Sequence, residues 1–226
     1  MRVPADGRSP SSSAAAERRL PVTLTTGARL PLQERATCSV VTDYLAELAR
    51  ALALVPGEAL TQAIALLLEA RARRRRIYVI GNGGSAATAS HLVCDLVKTA
   101  RVAGRAPLRA FALADNTPLL TAWANDSAYE RCFAEQVLAV VEPGDVVIAI
   151  SASGNSPNIV AGLSAGAAAG ARTIALVGFD GGAACQVADV AIHIPCHDYG
   201  LVEDTHAAIG HAITATIRSV LESGTG

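Results

Sequence analysis

One stretch constrains this chain more than any other: Ile77 to Leu96, IYVIGNGGSAATASHLVCDL. Ile77–Ile80 is short, apolar and rich in β-branched residues, the pattern of a parallel strand buried on both faces. Gly81-Asn82-Gly83-Gly84 ends it. Ser85 is a candidate cap, and Ala86 to Leu96 reads as a helix. A strand, a glycine turn and a helix start make an anion site, because bare backbone approaches the ligand and free N–H groups point at it. Asn82, Gly83, Gly84 and Ser85 are therefore candidate phosphate-binding residues. His91 and Asp95 lie one helical turn apart and project from one face.

The rest of the chain repeats the alternation. Leu108–Leu113, Asp145–Ile150, Thr173–Val177 and Val190–Ile194 read as strands. Helices are expected from Thr42 or Asp43, over Glu58–Arg73, after Pro118, over 130–140, from Pro157 to about Gly170 and from Val202 to Leu221. Strands alternating with helices predict an α/β fold, a three-layer α/β/α sandwich on a five-stranded parallel sheet preceded by N-terminal helices. Ligands of such sheets sit at the carboxyl ends of the strands. The glycine loop and a second loop, Ser151-Ala152-Ser153-Gly154-Asn155-Ser156, both fall on that edge. Ser151, Ser153 and Ser156 bring hydroxyls beside backbone N–H groups, with Ala152 between them, which suits a phosphate monoester. Neither a Walker P-loop nor the dinucleotide-binding glycine spacing is present.

Residues 1–38 are low in periodicity, with Ser11–Ala16 of low complexity, and are expected to be a disordered tail; residues 39–226 form the folded domain. Arg71 and Arg73–Arg76 read as a solvated helix end whose cations suit the C-terminal dipole. With a net charge of −1 and no apolar stretch of membrane-spanning length, neither nucleic acid nor membrane is an expected partner. The five cysteines are scattered and odd in number, as fits reduced thiols in a cytoplasm.

The final helix carries Glu203, His206 and His211. Positions eight apart are two turns on, so Glu203 and His211 are expected to flank one pocket edge. Together with His91 and Asp95 they make two imidazoles and two carboxylates. That inventory suits zinc or another divalent ion, and equally suits acid–base chemistry without metal. His193 and His206 are expected to be surface or capping histidines.

GNGGSA…H, ISASGNS, GFDGG and E-x-x-H-x-x-x-x-H together resemble the sugar isomerase (SIS) fold, and within it the bacterial phosphoheptose isomerases, over about residues 40 to 222. The resemblance implies conversion of sedoheptulose 7-phosphate to an aldoheptose 7-phosphate through an enediol. It implies catalytic roles for Asp95, Glu203 and His211, and a divalent metal, zinc favoured, on His91, Asp95, Glu203 and His211. It also implies phosphate contacts from Asn82, Ser85 and Ser151–Ser156, sugar contacts from Asp115 and Asn116, and a homotetramer with sites between subunits. Two positions depart from the family pattern: Asp95 stands for a glutamate and Glu203 for a glutamine. Three alternatives remain at this stage. One is an isomerase of a related phosphosugar in secondary metabolism. Another is a non-catalytic relative that binds the replication initiator and lacks the terminal histidine. The third is a phosphosugar sensor.

Overall fold

The computed structural model describes residues 32–224. Most of the expected N-terminal tail, residues 1–31, lies outside them. Helix α1 spans Leu32–Ala53 and α2 Gly57–Ala72. Then β1 (Ile77–Gly81) leads to α3 (Gly84–Cys94), and β2 (Ala110–Ala112) to α4 (Thr117–Asp126) and α5 (Cys132–Val140). β3 (Val146–Ser151) leads to α6 (Pro157–Ala168), β4 (Arg172–Val177) to α7 (Gly182–Val187), and β5 (Val190–His193) to α8 (Tyr199–Ser223).

All pairings are parallel and the strand order is β2-β1-β3-β4-β5. The five expected strands are present, shifted by at most two residues at their ends. Alternation along the strands splits the core into two layers. Ile77, Val79, Ile148, Ile150, Ile174 and Leu176 face α2, α3 and α8, where Leu67, Leu92, Ile209 and Ile213 meet them. Tyr78, Ile80, Val147, Ala149, Ala175 and Val177 face the other side, against Phe133, Ile159, Leu163 and Ala184. Each fully buried Leu, Ile or Phe contributes roughly 1.5–3 kcal/mol relative to exposure, which is why the apolar strands sit between helices.

Three local expectations are corrected. α1 begins ten residues before Thr42, so residues 32–38 are helical rather than tail. The N-cap of α3 is Gly83 at φ +54°, a conformation glycine adopts without penalty, and Ser85 lies inside the helix without capping it. α7 was not foreseen, because six residues hold too little periodicity to read.

The order places β1 beside β3, and the connections leave these two strands towards opposite edges of the sheet. This is a topological switch point, where the loops diverge and leave a crevice at the carboxyl ends. The loops there are the glycine loop after β1 and the serine loop after β3.

Candidate active site

The crevice holds a cavity of about 140 Å³ lined by Asn82, Ser85, Ile150, Ser151, Ala152, Ser153, Ser156, Tyr199 and Glu203. Backbone bonds pin the serine loop in place. Gly154 N–H donates to Ser151 Oγ at 3.2 Å and Asn155 N–H to Ser153 Oγ at 3.3 Å. The first turn of α7, just after the GFDGG segment, buttresses it from behind: Ala184 N–H donates to the Gly154 carbonyl, and Ala183 N–H to Asn155 Oδ1. Gly154, at φ +65°, lies so close to Gly181 that a Cβ would overlap the Gly181 carbonyl. Ser156 precedes α6 but makes no capping bond with its side chain, so its hydroxyl is free to serve the cavity. Glu203 reaches in from α8, and its carboxylate lies where a Cβ on Gly84 would be. It therefore sits at the first turn of α3, where the helix dipole favours negative charge.

A second cavity, about 180 Å³, opens further along the same two helices. Its lining includes Thr88, His91, Leu92 and Asp95 from the α3 side and His206, Gly210 and His211 from α8. His91 Nε2 and His211 Nε2 are 3.3 Å apart, and each is 3.6 Å from Asp95 Oδ2. Ligand atoms roughly 2.0–2.2 Å from a zinc ion define tetrahedral edges of roughly 3.3–3.6 Å. The three atoms thus form a triangle of the right size for one face of such a site, with only N and O donors. The imidazole side chains are 58% and 59% exposed and Asp95 14%.

Helix geometry changes just past Asp95. At this residue α3 passes into a π-helical turn, Asp95–Thr99, closed by Ala100 N–H donating to the Asp95 carbonyl at 2.8 Å. Such turns are rare and concentrate at functional sites. Thr99 Oγ1 donates to Asp95 Oδ1 at 2.9 Å, which leaves Oδ2 turned to the histidines.

The structure thus brings together three of the four expected metal-site residues, His91, Asp95 and His211. Glu203 lies instead in the serine cavity, so it and His211 do not share one pocket edge. Eight residues of α8 span about 12 Å, enough to serve two cavities. Asp115 and Asn116 line neither cavity. Ser90 Oγ donates to Asp115 Oδ1, and Asn116 Oδ1 caps α4 by accepting from Leu119 N–H. His206 is corrected outright: it is fully buried, with both ring nitrogens unpartnered, and burial pushes its pKa down to about 4. His193 is half-buried, its Nε2 2.8 Å from the Phe179 carbonyl. Tyr199 and the partners of Asn82 were missed, since only the fold brings them to the site; Thr99 was missed although its spacing of four from Asp95 offered the signal.

A sequence profile of the SIS domain family matches residues 42–178. A phosphoheptose isomerase from Geobacter sp. (strain M21) is 39% identical over 181 residues, covering 80% of this chain and 90% of the relative. The chain belongs to this family. Another phosphoheptose isomerase, from Geotalea daltonii, is 42% identical over 150 residues, covering 66% of this chain and 78% of that protein. Among solved structures, the phosphoheptose isomerase from Neisseria gonorrhoeae superposes with a TM-score of 0.74 at 33% identity, over 84% of this chain and all of the other. Among the described residues no single helix is long and apolar enough to cross a membrane.

Proposed function

We propose that this chain is an aldose–ketose isomerase that converts sedoheptulose 7-phosphate to an aldoheptose 7-phosphate, and that residues 39–226 form its isomerase domain. One observation carries the reading: a hydroxyl-lined crevice and an acid–base cluster lie side by side along α3 and α8. The serine loop, Ser85 and the remaining Asn82 amide hydrogen take the phosphate. The carbonyl end reaches towards α8's next two turns.

Isomerisation moves one proton between adjacent carbons, so the site must remove it and return it. Asp95 has both oxygens engaged, one by Thr99 and one facing two imidazoles. Glu203 faces the crevice and is the less committed carboxylate, so it shares the base role with Asp95. In the metal-free cluster His211, more than half exposed, returns the proton. His91, Asp95 and His211 would hold a divalent ion, with zinc favoured by two imidazoles and a carboxylate, and when bound it would polarise the substrate's carbonyl and hydroxyl oxygens.

A homo-oligomer, a tetramer with sites between subunits, fits the exposed side chains of Val40, Val41, Leu45 and Leu52 on α1. α1 is tied to α8 by Tyr44 OH donating to Asp204 Oδ2 at 2.6 Å, which pushes the Tyr44 pKa up to about 12. Cys94, Cys132, Cys185 and Cys196 form no disulfide among the described residues, which supports a cytoplasmic setting.

The test is incubation with ketose phosphates of five to seven carbons, followed by NMR, with and without a chelator. Turnover restricted to the seven-carbon ketose supports the substrate assignment. Turnover of a shorter ketose alone rejects it, and full activity in chelator rejects the metal.

A further inference from the structure

The two loops of the crevice are joined by a side-chain clasp. Asn82 follows the last residue of β1, and Asn158 is the second residue of α6, just past the serine loop. Asn82 Nδ2 donates to Asn158 Oδ1 at 2.8 Å, and Asn158 Nδ2 donates back to Asn82 Oδ1 at 2.9 Å. Tyr129 OH, from the short turn before α5, donates to the same Asn82 oxygen at 2.9 Å. Asn158 is 1% exposed, and Cys132 Sγ lies 3.5 Å from its amide nitrogen.

A reciprocal amide pair fixes more than a distance. Two antiparallel hydrogen bonds set the separation and the relative rotation of both side-chain planes. Burying the Asn158 amide is costly unless its polar atoms are matched, so this arrangement disfavours any other spacing of the loops. For stability alone, apolar groups of similar shape would do nearly as well. The pair sits where directional control matters. On one side the backbone runs on into Gly83 and Gly84, which have no side chains to hold them. On the other are Ser151, Ser153 and Ser156, whose hydroxyls line the same cavity as Asn82. Of Asn82's two amide hydrogens, the clasp uses one and leaves the other for the cavity.

We propose that Asn158 and Tyr129 are positioning residues for phosphosugar binding: they clamp the glycine loop to the serine loop through Asn82 and set the width of the phosphate pocket. The inference rests on reading that crevice as the phosphosugar site. Binding constellations tolerate only about 0.5 Å of misplacement, so loosening the clasp weakens phosphate capture while the α3–α8 cluster keeps its chemistry.

The test uses the full chain and the variants Asn158→Ala, Tyr129→Phe, Asn82→Ala and the Asn82→Ala/Asn158→Ala double. KM and kcat are measured for the sugar phosphate, together with the inhibition constant of inorganic phosphate. Asn158→Ala is expected to raise KM and the phosphate constant together, about tenfold, equivalent to about 1.4 kcal/mol, with kcat changed less than about threefold. Tyr129→Phe shifts both constants in the same direction by about threefold. The double variant should match Asn82→Ala alone, because Asn158 acts through Asn82. Multiplying effects, or a fall in melting temperature with both constants unchanged, overturns the clasp. If Asn158→Ala does not fold, Tyr129→Phe decides, since it removes a single hydroxyl from a half-exposed side chain. A wild-type protein inert towards every sugar phosphate rejects the proposed function instead. The clasp is then read from the phosphate concentration that stabilises each variant against heat.

Discussion

The serine crevice and the histidine–aspartate cluster share α3 and α8, yet they are held by different means. The crevice is made of loops, and its geometry is fixed by short-range bonds: Ser151 and Ser153 brace their own loop, and Asn82 and Asn158 brace one loop against the other. The cluster consists of side chains on two helices whose spacing is set by core packing, Leu92 against Ile209 and Ile213. Its imidazoles stand more than half exposed. The crevice is thus built to bind without moving, whereas the cluster is open for groups that exchange protons or take a ligand. A change in the crevice's loops should appear in KM, and a change in the cluster, or at Glu203, in kcat.

The largest expected effect breaks the cluster side. His211→Asn keeps a polar tip but cannot carry a proton. It should lower kcat by roughly 100-fold or more, the usual worth of acid–base help. Because His211 is exposed, melting temperature and oligomer size should barely change. Early melting, or turnover at the wild-type rate, would make His211 structural and return weight to a non-catalytic binding protein.

A smaller effect is expected on the crevice side. The Ser151→Ala/Ser153→Ala double variant removes two hydroxyls that can donate to a phosphate. A hydrogen bond contributes about 0.5–1.5 kcal/mol net, so losing two should raise KM about tenfold while kcat holds. Loss of the Ser151–Gly154 bond costs about 1 kcal/mol of stability. Steady-state kinetics on the folded variant measure the split. Unchanged KM would remove the phosphate assignment from this loop.

The same contrast explains what could be read from the chain. The strands and loops are local: Ile77–Gly84 and Val146–Ser156 each carry their own period and their own turn residues. Their ends sit at one sheet edge in any parallel α/β fold, so the crevice was legible. His91 and Asp95 were legible as a pair, one helical turn apart. Where Glu203 goes was not, because eight residues on a helix fix a rotation but not the place where a neighbouring helix ends. α8 crosses the start of α3 at Glu203 and its end at His211, so the two residues serve different cavities. Asn116 was drawn off by a local demand, the capping of α4, and Asp115 by Ser90. The Asn82–Asn158 pairing spans 76 residues, and nothing in either segment announces it.

The smallest effect concerns His206, which lies under the cluster but behaves unlike its histidines. Its ring is fully buried without a hydrogen-bond partner, and burial depresses its pKa from the ordinary 6.5 to about 4. The folded protein therefore holds it neutral, while the unfolded chain takes up a proton between those two values. Stability from this residue is fully present above pH 6.5 and is lost as pH falls through the window towards 4. Between pH 7 and 5 the loss is about 2 kcal/mol, or about 4–8 °C in melting temperature for a chain of this size. His206→Leu fills similar space, cannot titrate and leaves no orphan nitrogen. It should be neutral or stabilising at pH 7 and should flatten the decline towards pH 5. His91, Asp95 and His211 face the same cavity and are unchanged in the variant, so the difference between the two melting curves isolates His206. If wild type and variant decline in parallel, the buried ring is not what makes the protein acid-sensitive, and the contrast between exposed working histidines and a buried silent one loses its energetic basis.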